Sequence, residues 1–439
     1  MSKEKKIIPA LRFPVFANEQ EWDVKPLDEV CELVRGPFGG ALKKEIFVKD
    51  GYAVYEQSHA IYSDFSSFRY KIDDTKFSEL RRFAVKAGDI IMSCSGTMGK
   101  FAIIPKEYEQ GVINQALLKL TTKNGYDNIF IKKSLETESN QNKLLSQSAG
   151  GAIKNVVSVA QIRELGVAIP TPKEQKKIAA CLSSLDELIE AHTTKLDSLE
   201  DHKNGLMQNL FPQKDEKVPK LRFPEFENDG EWKFDSFSNI YSFLVTNSFS
   251  RDKLNYTQGK VKNIHYGDIH TKFSTLFDIK KEDVPFINKE ISLDRVKREN
   301  YCQVGDIVFA DASEDMVDIG KSIEIVNLNN EKLLSGLHTL LARQTNLYLA
   351  IGFGGYLFKS PSIRKKIQRE AQGAKVLGIS GTRLSGISIC FPKNKKEQLK
   401  IVSTLTAVDE LIKAQTEKIE HLETHKKGLM QVLFPITES

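Results

Sequence analysis

Cysteine is sparse in this sequence, and none of it falls in a recognisable pairing. The five cysteines (Cys31, Cys94, Cys181, Cys302 and Cys390) are scattered through 439 residues without a C-x-x-C pair. That pattern supports neither a zinc site nor a disulfide framework, and it predicts free thiols in a reducing compartment. Long apolar runs are missing as well. The best, Leu347–Phe358, is too short and too rich in glycine to span a bilayer. The N-terminal stretch 1–13 carries positive charge but no apolar core of signal-peptide length. A cytoplasmic protein without a membrane partner is expected. Nor does charge of one sign dominate: 63 Lys and Arg against 58 Asp and Glu leave a net +5, which permits a nucleic-acid partner without requiring one. With 40% hydrophobic and 28% charged residues, the composition excludes fibrous and disordered classes. The length allows two or three domains, each with its own core.

The motifs of common enzymes are also absent. No G-x-G-x-x-G occurs, and no Pro-Pro-aromatic motif of an amino-methyltransferase. Gly320-Lys321-Ser322 looks like the end of a phosphate-binding loop, but the first glycine of that loop would fall on Asp315. His265 and His270 have no acidic or cysteine set at metal-ligand spacing. The acidic cluster Asp311, Glu314, Asp315 and Asp318 could hold a metal in a nuclease, yet reads more simply as a solvated loop. No catalytic residue, no metal site and no cofactor is predicted for this chain.

What the sequence does contain is a copy of itself. Pro9-Ala-Leu-Arg-Phe-Pro-Val-Phe16 returns as Pro219-Lys-Leu-Arg-Phe-Pro-Glu-Phe226, and Glu21-Trp22 returns as Glu231-Trp232, which accounts for both tryptophans. A longer repeat closes each half: residues 174–212 align without gaps to 397–435, with more than half of the positions identical. Asp186-Glu-Leu-Ile189 matches Asp409-Glu-Leu-Ile412, Gly205-Leu-Met-Gln208 matches Gly428-Leu-Met-Gln431, and both copies end in Leu-Phe-Pro. The segments between, roughly 22–170 and 232–390, share little beyond Gly-Asp-Ile (88–90 and 305–307) and a following Gly-Lys (99–100 and 320–321). The second is longer by about a dozen residues. The organisation is variable–constant–variable–constant.

The constant segments predict long helices. In the first, apolar positions Ile178, Leu182, Leu185, Ile189, Leu196 and Leu199 alternate four and three residues apart around a polar His192. In the second, Ile401, Leu405, Val408, Ile412, Ile419 and Leu422 do the same around Gln415. This is the seam of a coiled coil, in which polar positions such as His192, Lys203, Gln415 and Lys426 set register. Pro172, Pro212, Pro392 and Pro435 punctuate the four ends. A whole domain lies between the two helices, so an antiparallel pair is expected.

The variable segments read as mixed α/β. Strands are expected near Lys86–Met92 and Gly305–Phe309, and helices near Tyr126–Gln147 and Leu347–Gln372. Candidate polyanion contacts lie in loops mixing Gly, Ser, Thr and basic residues, where backbone amides approach phosphates and long side chains reach base edges. In the first half these are Arg35, Lys43 and Lys44, then Ser95, Thr97 and Lys100, then Lys154 and Asn155. In the second half they are His265, Tyr266 and His270, then Lys321, then Lys375, Ser380, Thr382 and Arg383.

Taken together, the paired Leu-Arg-Phe-Pro…Glu-Trp openings, the Gly-Asp-Ile…Gly-Lys strings and the doubled Pro-x-x-x-Glu-Gln…Asp-Glu-Leu-Ile…Gly-Leu-Met-Gln…Leu-Phe-Pro helix resemble the specificity subunits of type I restriction–modification systems. The resemblance covers essentially the whole chain. It implies an α/β fold class: two globular target-recognition domains (1–170 and 216–390) joined by two long antiparallel coiled-coil helices (171–215 and 391–439) in a pseudo-twofold repeat. It implies a non-enzymatic reader of double-stranded DNA with an asymmetric, two-part target. The implied partners are modification (methyltransferase) subunits and restriction (endonuclease and translocase) subunits; S-adenosylmethionine, ATP and Mg would belong to those partners. The competing expectations are a protein–protein scaffold and a metal-dependent nuclease using residues 311–318.

Overall fold

The computed structural model describes residues 7–38, 40–146 and 159–436. Its contacts divide the chain into two compact units: residues 1–193 with 417–439, and residues 194–416. Two long helices, Pro172–Asn209 and Lys395–Leu433, each contribute one half to either unit. Pro172 opens the first helix at a position where its missing N–H costs nothing. Leu, Lys, Glu and Gln, all good helix formers, dominate both sequences. Neither helix is long and apolar enough to cross a membrane, nor is any other among the described residues.

In unit 1, the entry strand Asp23–Pro26 pairs antiparallel with the exit strand Gly166–Ile169, closing the domain at its neck. Between them lie two four-stranded sheets. One runs Cys31–Arg35, Leu117–Thr122, Ile90–Ser93, Phe101–Ile103, all antiparallel. The other runs Phe47–Val48, Lys71–Ile72, Tyr52–Tyr55, Gly111–Ile113, its last pair parallel. Two helices, Asn128–Leu135 and Glu138–Ser146, occupy the stretch where one helical pattern was expected.

Unit 2 repeats this plan with a nearly unrelated sequence. The strands Lys233–Ser236 and Ser388–Phe391 close its neck. One sheet runs Tyr241–Leu244, Thr339–Gln344, Ile307–Ala310, Ser322–Asn327, and gains Leu276–Asp278 as a fifth strand. The other runs Leu254–Asn255, Phe286–Ile287, Lys262–Ile264, Leu333–Ser335, again with its last pair parallel. The helical stretch is again split, into Phe353–Leu357 and Pro361–Glu370.

The shared Gly-Asp-Ile strings are structural. Gly88 and Gly305 adopt φ of 85° and 92° in the turn before each central strand, a conformation that glycine takes without strain. The following aspartates are buried and hold the turn shut. Asp89 accepts from the Lys86 N–H and the Thr121 hydroxyl. Asp306 accepts from the Gln303 N–H and from both arms of Arg343. The regular strands therefore begin at Ile90 and Ile307, later than the sequence pattern suggested.

The constant motifs lock each unit in the same way. Arg12 grips Glu174 through two nitrogens, at 2.8 and 2.7 Å; Arg222 grips Glu397 at 2.9 and 2.8 Å. All four side chains are almost fully buried, and such forked charge-assisted bonds are among the stronger ones available. The neighbouring Gln175 and Gln398 each bind back to the proline carbonyl before their helix, Pro170 and Pro392, and each also caps an amide of the domain, at Asp127 and Ala350. Buried Trp22 lies edge-on to Phe434, and Trp232 edge-on to Phe211. The Leu11 N–H reaches the Val432 carbonyl at 2.9 Å, and the Leu221 N–H reaches Asn209 at 2.9 Å, satisfying carbonyls that a helix end leaves open. Each Leu-Phe-Pro end thus plugs the core of the unit whose opening motif belongs to the other repeat.

Candidate nucleic-acid interface

In unit 1 the predicted residues fall on two neighbouring loops. Arg35 ends the edge strand Cys31–Arg35 and its guanidinium lies against the buried Cys94 thiol. Burial pushes that thiol up to about 11, with Arg35 opposing, so Cys94 stays protonated and inert at neutral pH. Beyond Arg35 the chain turns through Gly36 and Pro37 to Phe38, which is 96% exposed, then to exposed Lys43 and Lys44. Ser95, Thr97 and Lys100 occupy the turn between Ile90–Ser93 and Phe101–Ile103; Thr97 and Lys100 are exposed. Gln57, at the start of the short helix Gln57–Tyr62, spans this turn by meeting the Ser95 hydroxyl and the Thr97 carbonyl, each at 3.4 Å. Lys154 and Asn155 lie outside the described residues.

In unit 2 two of the predicted histidines gather around the ring of a third predicted residue, Tyr266. Tyr266 packs against His265 (4.7 Å between centroids), His338 (5.3 Å, edge-on) and His270 (5.9 Å, edge-on). His265 is buried and serves as the cap of helix Tyr266–Thr271, its Nδ1 accepting from the Gly267 N–H. Burial lowers its pKa, Arg251 and His338 add to that, and Asp268 opposes, so the neutral form that capping needs is favoured. His270 donates from Nε2 to the Ala312 carbonyl at 3.0 Å. Lys321 pairs with Asp318 at 2.6 Å. Lys375 is exposed beside the two-residue strand Leu377–Gly378, which pairs with Ala312–Ser313 and so lies next to the His270 contact. Ser380 caps the turn of helix carrying exposed Thr382 and half-buried Arg383; Arg383 turns back to Glu370.

Three residues in this cluster carry no motif in the sequence. Arg251 holds the buried Asp268 at 2.6 Å, Lys272 stands over the Tyr256 ring at 5.1 Å, and His338 is exposed with Nδ1 3.2 Å from Asp311. Burial raises the Asp311 carboxyl, with His338 pulling the other way. Only the fold brings these residues together, so no local pattern could have flagged them. The acidic segment 311–318 disperses: Asp311 faces His338, Asp318 faces Lys321, and Asp315 accepts from the Val317 N–H. Among the described residues no three His, Cys, Asp or Glu side chains converge as a metal site.

All the predicted seam residues are turned inward. Ile178, Leu182, Ile401, Leu405, Val408 and Leu422 are buried; Leu185, Ile189, Leu196, Leu199, Ile412 and Ile419 are half-buried. Polar seam positions form ion pairs across the helices: Lys203 with Asp409 at 2.5 Å in unit 2, and Lys426 with Asp186 in unit 1. Both pairings are antiparallel, since the end of one helix meets the start of the other. A second partner from the domain joins each aspartate, Lys133 at Asp186 and the Tyr356 hydroxyl at Asp409. By their apolar sequence the Leu-Phe-Pro ends, like the exposed faces of the helices, are candidate docking surfaces, but burial excludes the ends. Leu210, Phe211, Leu433 and Phe434 are 6% exposed or less, because the ends fill domain cores. Large apolar side chains that stay exposed on the helices include Leu188 in one and Leu399 and Leu411 in the other, with Leu188 and Leu411 at equivalent places in the repeat.

Residues 19–201 match the family model of the type I restriction modification DNA specificity domain. Over 423 residues the chain is 23% identical to a putative type I restriction enzyme specificity subunit, MjaX, of Methanocaldococcus jannaschii, covering 94% of this chain and 93% of the relative. The MjaVIII specificity subunit of the same organism is 24% identical over 423 residues, with 94% and 92% covered. The chain is thus similar to type I specificity subunits over nearly its whole length. Its fold is that of the type I S subunit from M. genitalium, which superposes with a TM-score of 0.58 at 15% identity over 98% of this chain and 100% of that one. A second solved structure, from work on assembly and conformational transition of the type I system, gives a TM-score of 0.55 at 14% identity over 94% and 97%.

Proposed function

We propose that this chain is the DNA-reading specificity subunit of a type I restriction–modification complex, in which each unit reads one half of a split target. One observation carries the reading: a single scaffold is built twice, with near-identical helices and locks but with different side chains on the exposed loops. Two unlike readers on like mounts make an asymmetric target. Arg and Lys on the loops would grip phosphates, and a few side chains would read base edges, each good pair adding roughly 1–3 kcal/mol of discrimination. Holding two weak half-sites on one frame raises effective concentration, so neither domain need bind tightly alone.

The chain is a non-catalytic subunit, and the chemistry belongs to its partners. Modification subunits with S-adenosylmethionine would methylate, and restriction subunits with ATP and Mg would translocate and cut. The exposed helix faces around Leu188 and Leu411 are the surfaces proposed for docking the modification subunits. A chimera tests the reading: replacing residues 232–390 with the same region of another specificity subunit should change one half of the methylated sequence and leave the other half and the gap intact. A change in both halves would show that the units are not independent readers.

A further inference from the structure

The turn between strands Leu333–Ser335 and Thr339–Gln344 puts His338 at the surface of unit 2 in a conformation that a histidine seldom adopts. Its φ is 53°, in the left-handed region. The surrounding bonds impose that conformation. The Gly336 N–H donates to the Ile264 carbonyl at 2.9 Å and the Asp311 N–H to the His338 carbonyl at 3.0 Å. The hydroxyls of Ser335 and Thr339 meet at 2.7 Å under the turn. No side chain fits at Gly336, where a Cβ would come within 2.4 Å of the Ile264 carbonyl oxygen. A backbone held this firmly fixes where the exposed ring stands.

The ring is oriented as firmly as the backbone. Nδ1 faces the Asp311 carboxylate at 3.2 Å, and Tyr266 buttresses the ring edge-on. With a carboxylate as acceptor, Nδ1 carries the hydrogen, and Nε2 of the neutral ring is left with a lone pair. Of the nearby charges, Arg251 and Lys272 pair with Asp268 and Lys321 pairs with Asp318, which leaves Asp311 to face His338. Unit 1 has the same backbone frame and different chemistry. There the Asn114 N–H donates to Tyr55 and the Cys94 N–H to Ala116, each at the equivalent register. Gln57 stands where unit 2 has Tyr266, Cys94 where it has Asp311, and Ala116 where it has His338.

We propose that His338, aimed by Asp311 and seated on Tyr266, reads a base edge in the half-site of unit 2, accepting at Nε2 a hydrogen bond from the exocyclic amino group of adenine or cytosine. The proposal rests on the DNA-reading function above and names a residue that determines its specificity; Asp311 and Tyr266 are positioning residues.

The test uses the full chain assembled with its modification subunits, on the wild type and on two variants. His338→Gly removes the ring while keeping a residue suited to positive φ. Asp311→Asn keeps the ring but no longer dictates which nitrogen bears the hydrogen. Each variant should make one base pair in one half-site degenerate in a methylation map, and the identity of that pair tells adenine from cytosine. The affinity ratio between the cognate duplex and one altered at that pair should fall roughly tenfold, with low-salt binding to unrelated DNA unchanged. An unchanged target in both variants overturns the assignment. So does an equal loss of affinity for cognate and unrelated DNA, which would mark a structural or generic electrostatic role. If the wild-type complex yields no split motif at all, it is the DNA-reading function that fails, and these variants are not what decides it.

Discussion

Truncating Phe434 tests whether the residues that follow the second long helix belong to the core of unit 1. The ring is 6% exposed, 5.3 Å from Phe130 and 6.3 Å from Trp22, so Phe434→Ala removes most of an aromatic side chain from a packed cluster. Truncations of this kind cost about 3–5 kcal/mol, the spread reflecting how far the cavity collapses. For a domain of this size that corresponds to a fall in Tm of about 6–20 °C. The chain offers a local reporter, because Trp22 is in unit 1 and the only other tryptophan, Trp232, is in unit 2. In a Trp232→Phe background, urea unfolding followed by Trp22 fluorescence should shift to lower denaturant by the corresponding amount. Hydrogen exchange should quicken in Leu117–Thr122 and Asn128–Leu135 as the shared core loosens. A Trp22 transition that moves by less than about 1 kcal/mol would refute the plugged-core reading, since a ring truncated in solvent costs almost nothing.

Three further outcomes are expected. Glu324 is buried beneath the amides of Gly352, Gly354 and Gly355, and burial pushes its carboxyl up to about 7 against the pull of those donors. A raised folded pKa favours the protonated native state, so this contribution is complete below the unfolded value near 4.5 and is lost as pH rises through 7; denaturation of Glu324→Gln at pH 5 and pH 8 should show a flatter pH dependence than wild type. Arg222→Met leaves the Glu397 carboxylate buried without its cationic partner, with only the Trp232 indole N–H still donating to it, and should destabilise unit 2 by about 3–5 kcal/mol, read by Trp232 fluorescence; a shift of under 1 kcal/mol would refute the clamp. If the long helices set the gap between half-sites, inserting about four residues between Thr194 and Leu199, which adds about 6 Å of helix, should change the preferred gap or abolish binding, and an unchanged gap would show that they do not set it.

Much of this architecture is legible in the sequence because it is written twice. The four-three spacing from Ile178 and from Ile401 indicated both long helices, found at Pro172–Asn209 and Lys395–Leu433. The repeat also marked Arg12, Glu174, Arg222 and Glu397, although repetition alone could not say that they clamp each other. What could not be read was anything set by register between distant strands. The variable domains share a sheet order that their sequences do not announce, because a strand needs only a period of two and a face to bury, which many side chains satisfy. The Leu-Phe-Pro ends looked like exposed docking points because an apolar tail after a helix carries no sign of which core receives it. Among the loop residues, position alone could not separate His265, buried as a helix cap, from His338, which stands at the surface 73 residues later in the same cluster. That distinction depends on which strand ends meet.

Whether each unit reads one half of a split target is tested most directly by a methylation map. The chain would be co-expressed with its cognate modification subunit in bacteria lacking other DNA methylation, the complex confirmed by co-purification, and the genome sequenced for modified adenines. One asymmetric motif in two parts, separated by a gap of fixed length, is expected. No modification, despite a stable complex and a methyltransferase shown to be active, would contradict it, as would modification at an undivided sequence.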